Sequence, residues 1–243
     1  MPTALITGAS RGIGRSTAEA FAAAGYSVLV NYRSGRDEAE ALVRILTAQG
    51  ADALAVCADV SDRAQVEAMA AAAIRRFGGI DVLVNNAGIA QQKLFTDLTD
   101  EDWDRMMAVD LKGVFLCCRA VLPGMLRRHS GSIINVSSIW GLVGASCEVH
   151  YSAAKAGVIG LTKALAKEVG PSGIRVNCVA PGIVSTEMNA ALTEADSREL
   201  ADGTPLGRFG TPDEIARTIL FLAGEQAGFV TGQVISPNGG FVI

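Results

Sequence analysis

Histidine is scarce in this 243-residue chain. His129 and His150 are too few and too isolated to suggest a metal site. The five cysteines (Cys57, Cys117, Cys118, Cys147 and Cys178) are odd in number and lack metal-ligand spacing. That points to reduced thiols in a cytoplasmic protein, several of them small core residues. No run of eighteen apolar residues occurs, which argues against a membrane span. The opening Met1-Pro2-Thr3-Ala4-Leu5 passes straight into a strand pattern, with no room for a signal peptide. No Pro/Ser-rich linker or charge run divides the chain. The net charge of −4 argues against nucleic acid as a partner. These absences leave one domain over residues 1–243, with 49% hydrophobic content to build one core.

Strand and helix patterns alternate along the whole length, which predicts a parallel α/β sheet with helices on both faces. The first strand, Thr3 to Thr7, runs into Gly8-Ala9-Ser10-Arg11-Gly12-Ile13-Gly14, and a helix follows from Arg15 to Ala24. Strand, glycine-rich turn and helix together are the context of a dinucleotide site. Gly8 suits a tight turn, Gly12 a close approach to phosphate, and Gly14 close helix–strand packing. The diphosphate is expected at the N–H groups opening the helix. The strand Ser27–Tyr32 ends with Asn31, where such folds meet the adenosine ribose. Arg33 and Arg11 stand nearby without a carboxylate, which favours a 2′-phosphate and therefore NADP(H). Either arginine also reads as a surface charge, Arg33 more so.

The chemistry centres on Ser138 to Lys155. On a helix, Tyr151 and Lys155 share a face, and a lysine ammonium lowers a tyrosine pKa towards a useful range. Ser138, delivered by the strand Gly131–Ser137, is placed to donate to a carbonyl oxygen gaining negative charge.

The glycine pattern G-x-x-x-G-x-G, the Asn85-Asn86-Ala87-Gly88 run after the strand Asp81–Val84, Ser138…Tyr151-x-x-x-Lys155 and Pro181-Gly182 occur here in one order. In this the chain resembles the short-chain dehydrogenase/reductase family over essentially its entire length. The resemblance implies a single-domain Rossmann fold, a doubly wound parallel seven-stranded sheet. It also implies cofactor contacts from Gly8, Ser10, Arg11, Gly12, Ile13, Gly14, Asn31, Arg33, Asp59, Val60, Asn86, Ala87, Gly88, Tyr151, Lys155, Pro181, Gly182, Ile183 and Thr186. Asp59 reads equally as a helix-start residue. The implied reaction is reduction of a ketone, with Tyr151 as proton donor and Ser138 steadying the oxygen. Residues 187–210 resemble a lid over the substrate.

The family's usual N-x-x-G reads Asp110-Leu111-Lys112-Gly113 here. Asp110 keeps an acceptor but, ionised, loses the donor. It is expected to join the catalytic group, and a catalytically weak dinucleotide-binding protein is the remote alternative. Two branches compete for the substrate. Overall the chain is similar to 3-oxoacyl-[acyl-carrier-protein] reductases of fatty-acid synthesis. Cys147-Glu148-Val149-His150 departs from their Gly-Gln-Ala-Asn, while Arg127 and Arg128 offer a basic docking pair or a helix cap. The run Trp140 to Val149 and the Asn238-Gly239-Gly240 ending look more like the reductase of the 5-aminopentanone group on elongation factor P. Glu148 would pair with its amine or make a structural hydrogen bond, and Trp140 and Met188 are further substrate contacts. This second branch is the preferred expectation, ahead of the acyl thioester. The resemblance also implies a homotetramer built from helices near 100–128 and 150–169 and from the C-terminal region.

Overall fold

Apolar runs too short and too continuous for surface helices become strands covered on both faces. They are β1 (Thr3–Ile6), β2 (Ser27–Tyr32), β3 (Ala53–Cys57), β4 (Val82–Asn85), β5 (Gly131–Val136), β6 (Ile174–Val179) and β7 (Val234–Ile235). The computed structural model describes residues 1–187 and 193–243. All seven strands pair in parallel, in the order β3-β2-β1-β4-β5-β6-β7. This is the doubly wound Rossmann arrangement expected of the sequence. Strand order reverses between β1 and β4, and the crevice beyond their carboxyl ends is where such sheets take ligands.

Register divides the core by the period of two. Leu29, Leu5, Leu83, Ile133 and Val176 align across five strands, and all five lie on one buried face. Helices α3 (Arg63–Phe77), α5 (Gly113–Arg128) and α7 (Val149–Val169) cover that face. Neighbouring Ile6, Val30, Val84 and Ile134 face the opposite way. They pack beneath α1 (Gly12–Ala23), α2 (Arg36–Ala48) and α9 (Pro212–Ala223). All five cysteines are free thiols. Burial pushes Cys118 up to about 12 and Cys178 up to about 11, so these two behave as core residues.

Helix starts follow local chemistry. Asp62 caps α3 by accepting from Gln65 N. Thr99 and Asp102 form a capping box for α4 (Asp100–Met107), and Thr211 and Glu214 form one for α9, with Pro212 in its first turn. One boundary differs from expectation. Helix α1 begins at Gly12, not Arg15, because Arg11 is extended and the glycine loop itself forms the first turn. The last strand is only Val234–Ile235, and Thr231 before it accepts from Val176 N through its hydroxyl. Between α4 and α5 the chain makes a π-helical turn, Ala108–Lys112, inside an otherwise continuous helix. Two shorter helices complete the description, α6 (Trp140–Val143) and α8 (Glu194–Asp202), the latter within the expected lid. Among the described residues, no helix is long and apolar enough to cross a membrane.

Candidate active site

The turn after β1 and the run after β4 meet at the point where strand order reverses. Gly8 N donates to Asn31 Oδ1 at 3.2 Å, and Asn86 Nδ2 donates to the carbonyls of Thr7 and Gly8, each at 3.0 Å. Gly14 is required by close approach. A Cβ there would stand 2.5 Å from Asn86 Nδ2, so the packing it permits is against this loop pair as well as the helix. Gly8 and Gly12 take φ of 62° and 54°, the left-handed region. Together these loops border a cleft of about 450 Å³. Its floor is Gly8, Ser10, Arg11, Gly12 and Ile13 at the first turn of α1; its far wall is Asn31, Arg33, Asp59 and Val60. Asn86, Ala87 and Gly88 close one side and Thr186 the other. Backbone N–H groups at a helix start, two arginines and a trough at the switch point fit a dinucleotide.

Two cofactor expectations change in detail. The Asn31 side chain is not directed at a ribose: its Nδ2 bonds the carbonyls of Val56 and Ala58, at 3.3 and 3.0 Å, and its Oδ1 holds Gly8. Lacking charge, the asparagine is free to stitch three strand ends together. Arg33 is not a lone cation, for Asp59 Oδ2 lies 3.7 Å from Nη1. Asp59 also accepts from Ser61 N and Oγ, at 2.8 and 2.6 Å, so it is bound locally while Asp62 does the capping.

The catalytic candidates stand beside the cleft, where Asp110 and Lys155 back onto Gly88 of its wall. Helix α7 carries Tyr151 and Lys155 four residues apart, with Lys155 Nζ 5.5 Å from the tyrosine ring centroid. The end of β5 supplies Ser138, whose Oγ accepts from Trp140 N at 3.2 Å, leaving its own hydrogen to donate. Ser137 Oγ donates to Lys155 O at 2.8 Å and fastens the strand end to the helix. The π turn pushes Asp110 inward. It is 0% exposed, its Oδ1 accepts from Ile89 N at 2.9 Å, and its Oδ2 pairs with Lys155 Nζ at 3.0 Å. That second contact is an ion pair without hydrogen-bond geometry. Lys155 also donates to Val136 O at 3.3 Å.

Charge balance here departs from expectation. Burial pushes the Tyr151 pKa above its ordinary value; Lys155 pulls it down, Asp110 pushes it back up and the Ser138 hydrogen bond lowers it. The net direction is upward, chiefly because burial disfavours the phenolate, and the buried carboxylate 3.0 Å from the ammonium offsets part of the help Lys155 gives. Lys155 is itself raised: desolvation opposes its charge, but Asp110 and Tyr151 outweigh that.

The Pro181–Thr186 segment runs beside Ser138. Pro181 O accepts from Ile139 N at 3.0 Å, Gly182 N donates to Pro237 O at 3.1 Å, and Ile183 O accepts from Gly210 N at 2.9 Å. Trp140 packs edge-on to Phe241, with centroids 5.8 Å apart, beside the Met106–Tyr151 cluster. Glu148 Oε1 accepts from Gln92 Nε2 at 3.2 Å, a local partner for the carboxylate. Met188 lies outside the described residues. Arg128 donates to Ile80 O at 2.6 Å and sits 3.6 Å from Asp81, so it ties the end of α5 to the turn before β4. Cleft residues absent from the sequence reading include Ser34, Ala58 and Ala90, while Glu187 is the first residue of the expected lid. Ser34 and Ala58 lie within two residues of strand ends, a signal available in the sequence.

A phosphate-ready helix start beside a buried Ser–Tyr–Lys group defines a dinucleotide-dependent oxidoreductase acting between ketone and alcohol. The chain belongs to the short-chain dehydrogenase/reductase family: the family model described as enoyl-(acyl carrier protein) reductase matches residues 8–242. It is similar to the 3-oxoacyl-[acyl-carrier-protein] reductase FabG of Staphylococcus aureus (strain Mu50), 47% identical over 238 residues, covering 98% of this chain and 97% of the relative. The 3-oxoacyl-[acyl-carrier-protein] reductase of Synechocystis is 45% identical over 241 residues, covering 99% and 96%. FabG of Thermotoga maritima is 43% identical over 239 residues, covering 98% and 97%.

Proposed function

We propose that the protein is an NADPH-dependent reductase of 3-oxoacyl thioesters presented on an acyl carrier protein. The observation that carries the reaction is the buried Ser138–Tyr151–Lys155–Asp110 group, which meets the dinucleotide cleft at Gly88. For the substrate, support comes from relatives named for 3-oxoacyl reduction, alike over the whole chain. The description of the family model names enoyl reduction instead. Two hydroxyl donors directed at one oxygen suit a carbonyl better than a carbon–carbon double bond. The aminopentanone of elongation factor P, ranked first on sequence alone, ranks second here because the relatives are named for 3-oxoacyl reduction; Gln92 donates to one oxygen of Glu148.

The nicotinamide supplies the hydride when bound. Ser138 donates to the substrate oxygen and holds it, and Tyr151 delivers the proton to that oxygen from its phenol. Its raised pKa keeps that proton available through neutral pH. Lys155, kept charged by Asp110, favours the phenolate left behind. Arg11 and Arg33 favour the 2′-phosphate, while Pro181, Gly182, Ile183 and Thr186 wall the nicotinamide end. A homotetramer is part of the same reading: Phe229 and Ile243 are fully exposed on the single chain, and Trp103 and Phe115 project from the α4–α5 helix. Light scattering of the purified protein tests it.

The deciding experiment follows NADPH oxidation with acetoacetyl thioester and, in parallel, with a peptide carrying an aminoketone on lysine. Fast turnover of the thioester, lost in Tyr151→Phe, is expected. Turnover of the peptide alone overturns the substrate assignment.

A further inference from the structure

His150 precedes the catalytic tyrosine, is 0% exposed, and has no part in the chemistry above. Its Nε2 lies 3.0 Å from Gln91 Oε1. Gln91 Nε2 in turn donates to Asp102 Oδ1 at 2.8 Å, and Asp102 Oδ2 accepts from Lys93 Nζ at 2.6 Å. A carboxylate only accepts, and hydrogen bonds from Lys93 and Gln91 hold Asp102 well below the usual carboxylate range. The amide NH2 of Gln91 must therefore face Asp102, which turns its carbonyl to His150. It follows that His150 Nε2 carries a proton and donates it to Gln91 Oε1. Nδ1 is buried and has no partner among the described residues.

This chain of four side chains joins three elements that sequence keeps apart: the first turn of α7, the segment 89–93 and the start of α4. The same segment is held by its backbone, with Ile89 N on Asp110 and Lys93 N on Cys147 O at 2.8 Å. Ile89 and Ala90 line the cleft. We infer that His150 is a positioning residue, whose Nε2–H fastens segment 89–93 to the helix bearing Tyr151 and so sets the wall against which the substrate carbonyl lies. No substrate reaches the imidazole, which is sealed from solvent.

The test compares His150→Leu, which removes the donor, with His150→Gln, whose amide N–H reaches as far as Nε2. Amide hydrogen exchange of residues 89–93 is read without substrate and is expected to quicken about tenfold in His150→Leu and to stay near wild type in His150→Gln. With acetoacetyl thioester, KM is expected to rise about tenfold in His150→Leu, with kcat and NADPH affinity changed less than about threefold and His150→Gln largely restored. Gln91→Met, on a half-exposed side chain, repeats the test if the leucine variant does not fold. Unchanged exchange in the leucine and methionine variants, a glutamine variant as impaired as leucine, or parallel loss of kcat and NADPH binding overturns the inference. The KM arm rests on the ketone-reductase reading. A wild-type protein inert to the thioester refutes that reading, and exchange then decides the role of His150.

Discussion

Replacing Asp110 by asparagine removes one buried negative charge and little volume, so its effect is almost purely electrostatic. Lys155 Nζ stands 5.5 Å from the Tyr151 ring centroid; at an effective dielectric of about 20 its charge favours the phenolate by on the order of 3 kcal/mol. Asp110, 3.0 Å from the ammonium, opposes that effect. Asp110→Asn should therefore lower the Tyr151 pKa. The sign follows from the proton's role. Reduction needs the protonated phenol, so its alkaline limb moves to lower pH; alcohol oxidation needs the phenolate, so it rises at lower pH. The assay is kcat for both directions from about pH 6 to 11, with wild type alongside. The variant also leaves Lys155 without its buried partner, at an expected cost of about 3 kcal/mol in denaturant unfolding. A limb that stays put or moves to higher pH refutes the claim that Asp110 offsets Lys155.

Other consequences are as direct. A Cβ at Gly88 would lie 2.7 Å from Asp110 Oδ2 and 3.2 Å from Lys155 Nζ, so Gly88→Ala should lower kcat/KM at least about 100-fold in a protein that still folds by circular dichroism. Arg33→Ala should weaken NADPH binding about tenfold and leave NADH within about twofold, read by fluorescence titration. Equal loss for both would mean that Arg33 serves only Asp59. Thr211→Ala removes the capping hydroxyl of α9 and should cost about 1 kcal/mol in denaturant unfolding, with catalytic constants unchanged.

Much of the site was legible because its parts are local in sequence. A glycine loop between strand and helix, asparagines at a strand end, and tyrosine and lysine four apart on a helix each declare themselves within about seven residues. The pairing of β1 with β4 was equally readable once strands and helices alternate, since such chains have few ways to wind. The Tyr151 pKa was not. It depends first on burial and then on Asp110, forty-one positions away and turned inward by a π turn that no periodicity announces. Asn31 shows the same limit: it lines the cleft, but its side chain bonds to neighbouring backbone.

The sequence by itself determined the sheet, the order of the motifs and the identity of the Ser–Tyr–Lys group, because these rest on periodicity and short-range spacing. Only the tertiary structure decided how those groups are charged and held. Asp110 meets Lys155, Gln92 occupies Glu148, and His150 reaches Asp102 through Gln91. Each is a contact between distant segments, and at the Asp110–Lys155 pair burial removes the water that would otherwise screen it.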